Sequence, residues 1–202
     1  MSCRPPSSDS RTRSELTALF AALLLLAGCI APVSETAPLD CRCDAPVSAG
    51  SKSFAARVVK VKDGDTLDVE PACLPPGAIL VTVRLGGVDA PETPKRGRDG
   101  QPGGEEAWRF LESLVSSGTV IVEPRQRDRY QRTVGRVTTD DGRDVEIEMV
   151  RSGWAWWYRQ YAGDDRALEE AEAAAKADRL GIWHEDGPEP PWEFRRAQKS
   201  GE

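Results

Sequence analysis

Residues 79–85 (ILVTVRL) alternate apolar and polar side chains, the two-residue period of a strand with one buried face. Residues 57–61 (RVVKV) and 66–69 (TLDV) are also strand-like, and Asp63-Gly64 between them is a tight-turn pair. These three strands predict a meander, with a Pro-rich loop at 72–77 carrying Cys73. Residues 119–123 and 134–138 predict two more strands, and Asp140-Asp141-Gly142 a turn. The period changes over 105–116. Ala107, Phe110, Leu111 and Leu114 recur at three- and four-residue steps, and Gly118 stops the helix. Residues 164–179 form the clearest helix, with Leu168, Ala171 and Ala175 on one face. Residues 145–151 fit both periods: they alternate, then pair as Met149-Val150 before Gly153. Short strands with helices between and after them predict an α+β fold, a small barrel with helices packed on it.

The N-terminus follows a different logic. Arg11 and Arg13 precede an apolar run at 16–27 that is too short to span a bilayer. The run closes with Leu26-Ala27-Gly28-Cys29, which resembles the lipobox of bacterial lipoproteins. The expectation is a signal peptide at 1–28 and acylation of Cys29. Residues 30–52 are rich in Pro, Ser, Ala and Thr and read as a flexible tether. Ile30 follows the cysteine, with no Asp retention signal, so the expected location is the outer membrane. An exported chain can keep disulfides, and a bridge from Cys73 to Cys41 or Cys43 is expected.

Charge narrows the chemistry. Lys plus Arg number 27 against 33 Asp plus Glu, a net charge of −6. That excludes a bulk polycation that coats nucleic acid, though not a local basic groove. The single histidine, His184, excludes multi-histidine metal sites and reads as a surface residue. Three clusters remain: Asp63-Gly64-Asp65-Thr66, Arg84 with Val88-Asp89-Ala90-Pro91-Glu92-Thr93, and Asp128-Arg129-Tyr130-Gln131-Arg132. Each alone has a dull reading as a turn or a solvated charge run. Together they have a chemical logic. Asp65 and Asp89 are hard oxygen donors suited to Ca²⁺ or Mg²⁺. Glu92 is placed to act as general base on water. Arg84 and Arg132 are planar cations suited to phosphate oxygens. Such a set is what phosphodiester hydrolysis needs.

The same residues carry a family resemblance. The chain resembles the staphylococcal-nuclease-like family, the thermonucleases, in DGDT at 63–66, RLGGVDAPET at 84–93 and DRYQR at 128–132. Gly100-Gln101-Pro102 and the stretches at 141–153 and 168–183 extend it over roughly residues 54–183. The resemblance implies a five-stranded OB-type barrel with three packed helices, which makes 145–152 helical. It implies a Ca²⁺-dependent nuclease of DNA and RNA leaving 3′-phosphate ends, acting as a monomer. It places metal ligation on Asp65, Asp89 and the Ala90 carbonyl, where many relatives have threonine in place of Ala90. It makes Glu92 the base and Arg84 and Arg132 the phosphate clamps. Tyr130, Tyr158 and Tyr161 fall where the family lines its substrate groove. The implied organisation is signal peptide at 1–28, lipid anchor and tether at 29–52, nuclease domain at 53–187 and tail at 188–202.

The aromatic cluster Trp154, Trp156, Trp157, Tyr158 and Tyr161 has two readings, a base-stacking platform or a strand packed on the core. Trp154 and Trp156 are expected to be structural, and Trp183 and Trp192 to cap the core. Lys95, Arg96 and Arg98 fall in a loop beside the site, within reach of substrate. Two rival functions are a catalytically inactive nucleic-acid-binding module of the same fold and a structural envelope lipoprotein. Retention of Asp65, Arg84, Asp89, Glu92 and Arg132 favours the enzyme.

Overall fold

Alternating aliphatic positions build the centre of the molecule. In a computed structural model, residues 53–200 other than 96 and 98 are described. The expected signal, the Cys29 anchor and the tether lie outside these residues, as do Arg96 and Arg98. Five strands close into a barrel: β1 (Phe54–Asp63), β2 (Thr66–Pro71), β3 (Val81–Leu85), β5 (Thr119–Arg127) and β6 (Thr133–Thr139). Around the barrel the order is β1-β2-β3-β6-β5, with β1 and β5 also paired. The expected meander is present, since β1 pairs antiparallel with β2 and β2 with β3. β3 meets β6 in parallel, Arg84 opposite Val134. Closure buries Leu67, Val69, Val83, Leu85, Val120, Val122 and Val137 almost completely. An aliphatic side chain buried this way contributes about 1.5–3 kcal/mol, which offsets much of the entropy lost in ordering the strands.

The third strand starts later than its pattern suggests. Ile79 and Leu80 precede it and are exposed, because β2 pairs with β3 only from Val81 onward. A second, two-stranded sheet pairs β4 (Val88–Asp89) with β7 (Trp156–Trp157). The aromatic segment is thus a strand for two residues only. Trp156 and Trp157 are both buried, and the chain then turns into the short α3 (Arg159–Ala162).

Three helices cover the barrel as expected: α1 (Gly104–Leu114), α2 (Val145–Arg151) and α4 (Arg166–Ala177). α1 buries Ala107, Leu111 and Leu114, and α4 buries Leu168, Ala171 and Ala175. α2 begins at Asp144, whose carboxylate accepts from the Ile147 amide, and α4 at Asp165, which accepts from Leu168. Arg136 of β6 ties both caps to the barrel. Its Nε lies 2.5 Å from Asp144 and its Nη1 2.5 Å from Asp165.

The helix count exceeds the expected three. Besides α3 and a 3₁₀ turn at Gly181–His184, the expected tail carries α5 (Pro191–Ser200). Its few apolar residues in a strongly polar stretch hid it; Pro191 is buried and Trp192 and Phe194 are half-buried. His184 is exposed, as expected. Cys73 is disulfide-bonded, and the other four cysteines lie outside the described residues.

Candidate active site

The β1–β2 turn starts the site. Gly64 allows the turn to approach its neighbours, since a Cβ there would stand 2.8 Å from the Ala90 side chain and 2.9 Å from that of Ala107. The turn presents Asp63 and Asp65 in different directions. Asp63 Oδ1 accepts from the Thr93 amide at 3.2 Å and Oδ2 from Lys95 Nζ at 2.5 Å, which ties residues 93–95 to the turn. Asp65 Oδ1 accepts from Thr66 Oγ1 at 2.8 Å, and Oδ2 accepts from the Ala90 amide at 3.3 Å. Asp65 also anchors β3, its carbonyl accepting from the Leu85 amide at 2.9 Å.

Asp89 comes from β4, and its side chain is wholly buried. Arg84 from β3 lies between the two carboxylates. Its Nη2 donates to Asp89 Oδ1 at 2.8 Å, and its Nη1 forms an ion pair with Asp65 Oδ2. That Nη1 is buried against Asp65, so the guanidinium is fixed between the two carboxylates. Burial pushes the Asp65 carboxyl up, but the Arg84 charge and the Thr66 hydroxyl outweigh it and hold it below the ordinary value. Asp89 is shifted the other way. Burial raises it, the Arg195 hydrogen bond opposes this, and repulsion from Asp65 adds to the rise. Burial works against the Arg84 charge, yet Asp65 and Asp89 together hold the guanidinium firmly protonated.

Glu92 follows on an extended segment that Gln101 holds in place. The Gln101 amide donates to the Glu92 carbonyl at 2.8 Å, and Gly104 leaves room for that carbonyl. Glu92 is part-exposed, with Oε1 2.8 Å from Arg195 Nη1 and Oε2 3.4 Å from Lys95 Nζ. The donor set of Asp65 and Asp89 is all oxygen and suits a hard divalent cation completed by a backbone carbonyl and water. Two buried carboxylates repelling each other are what such a cation relieves. No group of three or more His, Cys, Asp or Glu side chains that could hold a metal occurs among the described residues.

Comparison with known proteins agrees with this geometry. Residues 82–185 match the family described as staphylococcal nuclease homologue, a span that includes Arg84, Asp89, Glu92 and Arg132. The chain is 37% identical over 143 residues to an "Uncharacterized endonuclease" of Haemophilus influenzae, covering 71% of this chain and 74% of that one. It belongs to the staphylococcal nuclease family. It is also similar to a "Micrococcal nuclease" of Shigella flexneri, at 35% identity over 156 residues, covering 73% of this chain and 83% of that one. An "Uncharacterized endonuclease" of Escherichia coli is 39% identical over 139 residues, with 69% and 83% covered.

Not every residue that the family resemblance singles out joins the cluster. Arg132 precedes β6, next to the β3 strand that carries Arg84. Its Nε donates instead to Asp128 Oδ2 at 2.7 Å, and its Cζ lies 5.5 Å from the centre of the Tyr130 ring. Burial pushes Asp128 up, but the Arg132 hydrogen bond holds it below the ordinary carboxylate value. Tyr130 is exposed and also lies under Arg129 at 4.8 Å. Tyr158 is within electrostatic reach of the cluster: burial first, then the Asp89 charge, raises its phenol. Tyr161 is exposed and packs edge-on against Tyr158 at 5.0 Å.

Sequence reasoning missed Arg195, which donates to both oxygens of Asp89 as well as to Glu92. It lies 106 residues from Asp89 in a segment read as tail, where nothing in the local sequence separates it from its neighbour Arg196. Trp192 does not cap the core. It stacks on Tyr158, with ring centres 5.1 Å apart and planes 9° from parallel.

Proposed function

We propose that this chain is a Ca²⁺-dependent nuclease that hydrolyses phosphodiester bonds of DNA and RNA and leaves 3′-phosphate ends. The observation that carries the reading is the convergence of Asp65 and Asp89 on Arg84, with Glu92 in the same ion network through Arg195. The relatives named as an endonuclease and as a micrococcal nuclease support the nuclease part.

Asp65, Asp89 and the Ala90 carbonyl would hold Ca²⁺, which fits their hard oxygen chemistry. Such a cation would supply positive charge to offset the negative charge that builds on the phosphoryl group. The Arg84 guanidinium, oriented by two carboxylates and partly exposed, donates to a phosphoryl oxygen. Glu92 takes the proton of the attacking water as the new P–O bond forms. The P–O5′ bond breaks, the departing 5′-oxygen takes a proton from solvent, and the phosphate stays on the 3′ side. Arg132 is the second clamp, oriented by Asp128. Tyr130, Tyr158 and Tyr161 offer rings for flanking bases.

We further propose that the mature protein is a monomeric, exported lipoprotein held through Cys29, with the outer membrane as its site. Labelled palmitate should enter the wild type and not Cys29→Ser. The catalytic reading is tested by incubating the protein with plasmid DNA and with RNA, with Ca²⁺ or with chelator, followed by end-group analysis of the fragments. Cleavage unaffected by chelator, or ends bearing 5′-phosphate, would overturn it.

A further inference from the structure

Two residues of α5 cover the two halves of the site at once. Trp192 and Arg195 are three positions apart and so share one face of the helix. Arg195 Nη2 donates to Asp89 Oδ2 at 2.7 Å, and Nη1 lies 3.2 Å from Asp89 Oδ1 and 2.8 Å from Glu92 Oε1. These are the oxygens that the nuclease reading gives to the cation and to the attacking water. Trp192 meanwhile stacks face to face on Tyr158, as a nucleobase would. A guanidinium stands at the cation's carboxylate and an indole at the base's ring.

Among the described residues, two further polar contacts hold this segment. Gln101 Nε2 donates to the Glu189 carbonyl, and Gln198 Nε2 lies 3.4 Å from the Asp99 carbonyl. Pro191 is buried, and Trp192, Phe194, Arg195 and Gln198 are half-buried. The segment leading into it contains Gly187 at φ +68, where an added Cβ would meet no atom within 4 Å, followed by Pro188. A helix with so small a buried face can detach without opening the core.

We propose that α5 is an autoinhibitory strap that occupies the nuclease site until Ca²⁺ and nucleic acid displace it. The proposal rests on the nuclease reading above. Ca²⁺ and Arg195 compete for Asp89, and a base and Trp192 compete for Tyr158. Because both contacts sit on one helix, loss of either weakens the other. The apparent Ca²⁺ affinity is then the intrinsic affinity reduced by the fraction of molecules with the strap open.

Calorimetric Ca²⁺ titration of the full chain without nucleic acid tests this in wild type, Arg195→Ala and Trp192→Ala. Arg195→Ala should bind Ca²⁺ about tenfold more tightly. Removing a positive charge would by itself tighten binding, so Trp192→Ala is the decisive variant. It changes no charge and touches no carboxylate, yet should tighten Ca²⁺ about threefold by weakening the strap. Hydrogen exchange should show the α5 amides opening about tenfold more often when Ca²⁺ is added to wild type. A wild type that cuts plasmid with Ca²⁺, while Trp192→Ala leaves its affinity unchanged and α5 exchange ignores Ca²⁺, overturns the strap alone. So does loss of cleavage in Arg195→Ala at unchanged Ca²⁺ affinity, which would make Arg195 a participant in the reaction. A wild type that neither binds Ca²⁺ nor cuts overturns the nuclease reading and the strap with it.

Discussion

The Val137 amide donates to both oxygens of Glu146, each at 3.1 Å, inside a site with no solvent exposure. Gly86, at the start of the turn that leads to Asp89, lies 3.4 Å from the same carboxyl. Glu146 of α2 thus fastens the helix to β6 and to the loop that delivers a site carboxylate. Burial, helped by the Asp144 charge and opposed by the Val137 amide, pushes its carboxyl up to about 8. The folded chain therefore keeps this proton between about pH 4.5 and pH 8, where the unfolded chain has released it. Stability falls as pH rises through that window, by up to about 1.4 kcal/mol per unit, and levels off above it. Glu146→Gln should remove this slope and gain relative stability toward pH 8. Urea midpoints at several pH values check it, and parallel profiles for the two proteins would contradict it.

Asp89→Asn should leave circular dichroism unchanged, because the side chain keeps its shape and loses a charge that burial disfavours. Ca²⁺ binding and Ca²⁺-dependent cleavage should both disappear. Glu92→Gln should bind Ca²⁺ and lose about a hundred- to ten-thousand-fold in rate, as expected for a positioned base. Near-wild-type turnover in either variant removes that residue from the machinery.

The two arginines should fail differently. Arg84→Lys removes a buried fork that bridges two carboxylates, so both rate and melting temperature should drop. Arg132→Lys should keep the melting temperature and lose about a hundredfold in kcat, with KM little changed, if its fork stabilises charge in the transition state. Asp128→Ala should reproduce part of that loss by releasing Arg132 from its orientation. An equal rise in KM with constant kcat would reduce Arg132 to substrate holding.

Arg136→Ala should lower stability by about 2 kcal/mol. The value sits below that for a fully buried pair because water still reaches Asp144 and Asp165. Both helix N-caps lose their common cation, and a chemical denaturation midpoint measures the effect. Activity of the surviving folded fraction should be unaltered.

Much of the molecule was legible along the chain. The alternation in VTVRL, the DGDT turn and the spacing of Leu168, Ala171 and Ala175 each specify an element within a few residues. Asp65, Arg84, Asp89 and Glu92 stood out by type and position, since the turn and strands that hold them are local. What the chain could not declare depends on closure. The parallel β3–β6 pairing, the β4–β7 sheet and the meeting of Arg195 with Asp89 join segments far apart in sequence. No local period encodes such contacts. The reason is physical: hydrophobic patterning selects which face is buried, but which charges meet is decided only once the barrel closes and brings distant side chains within hydrogen-bond range.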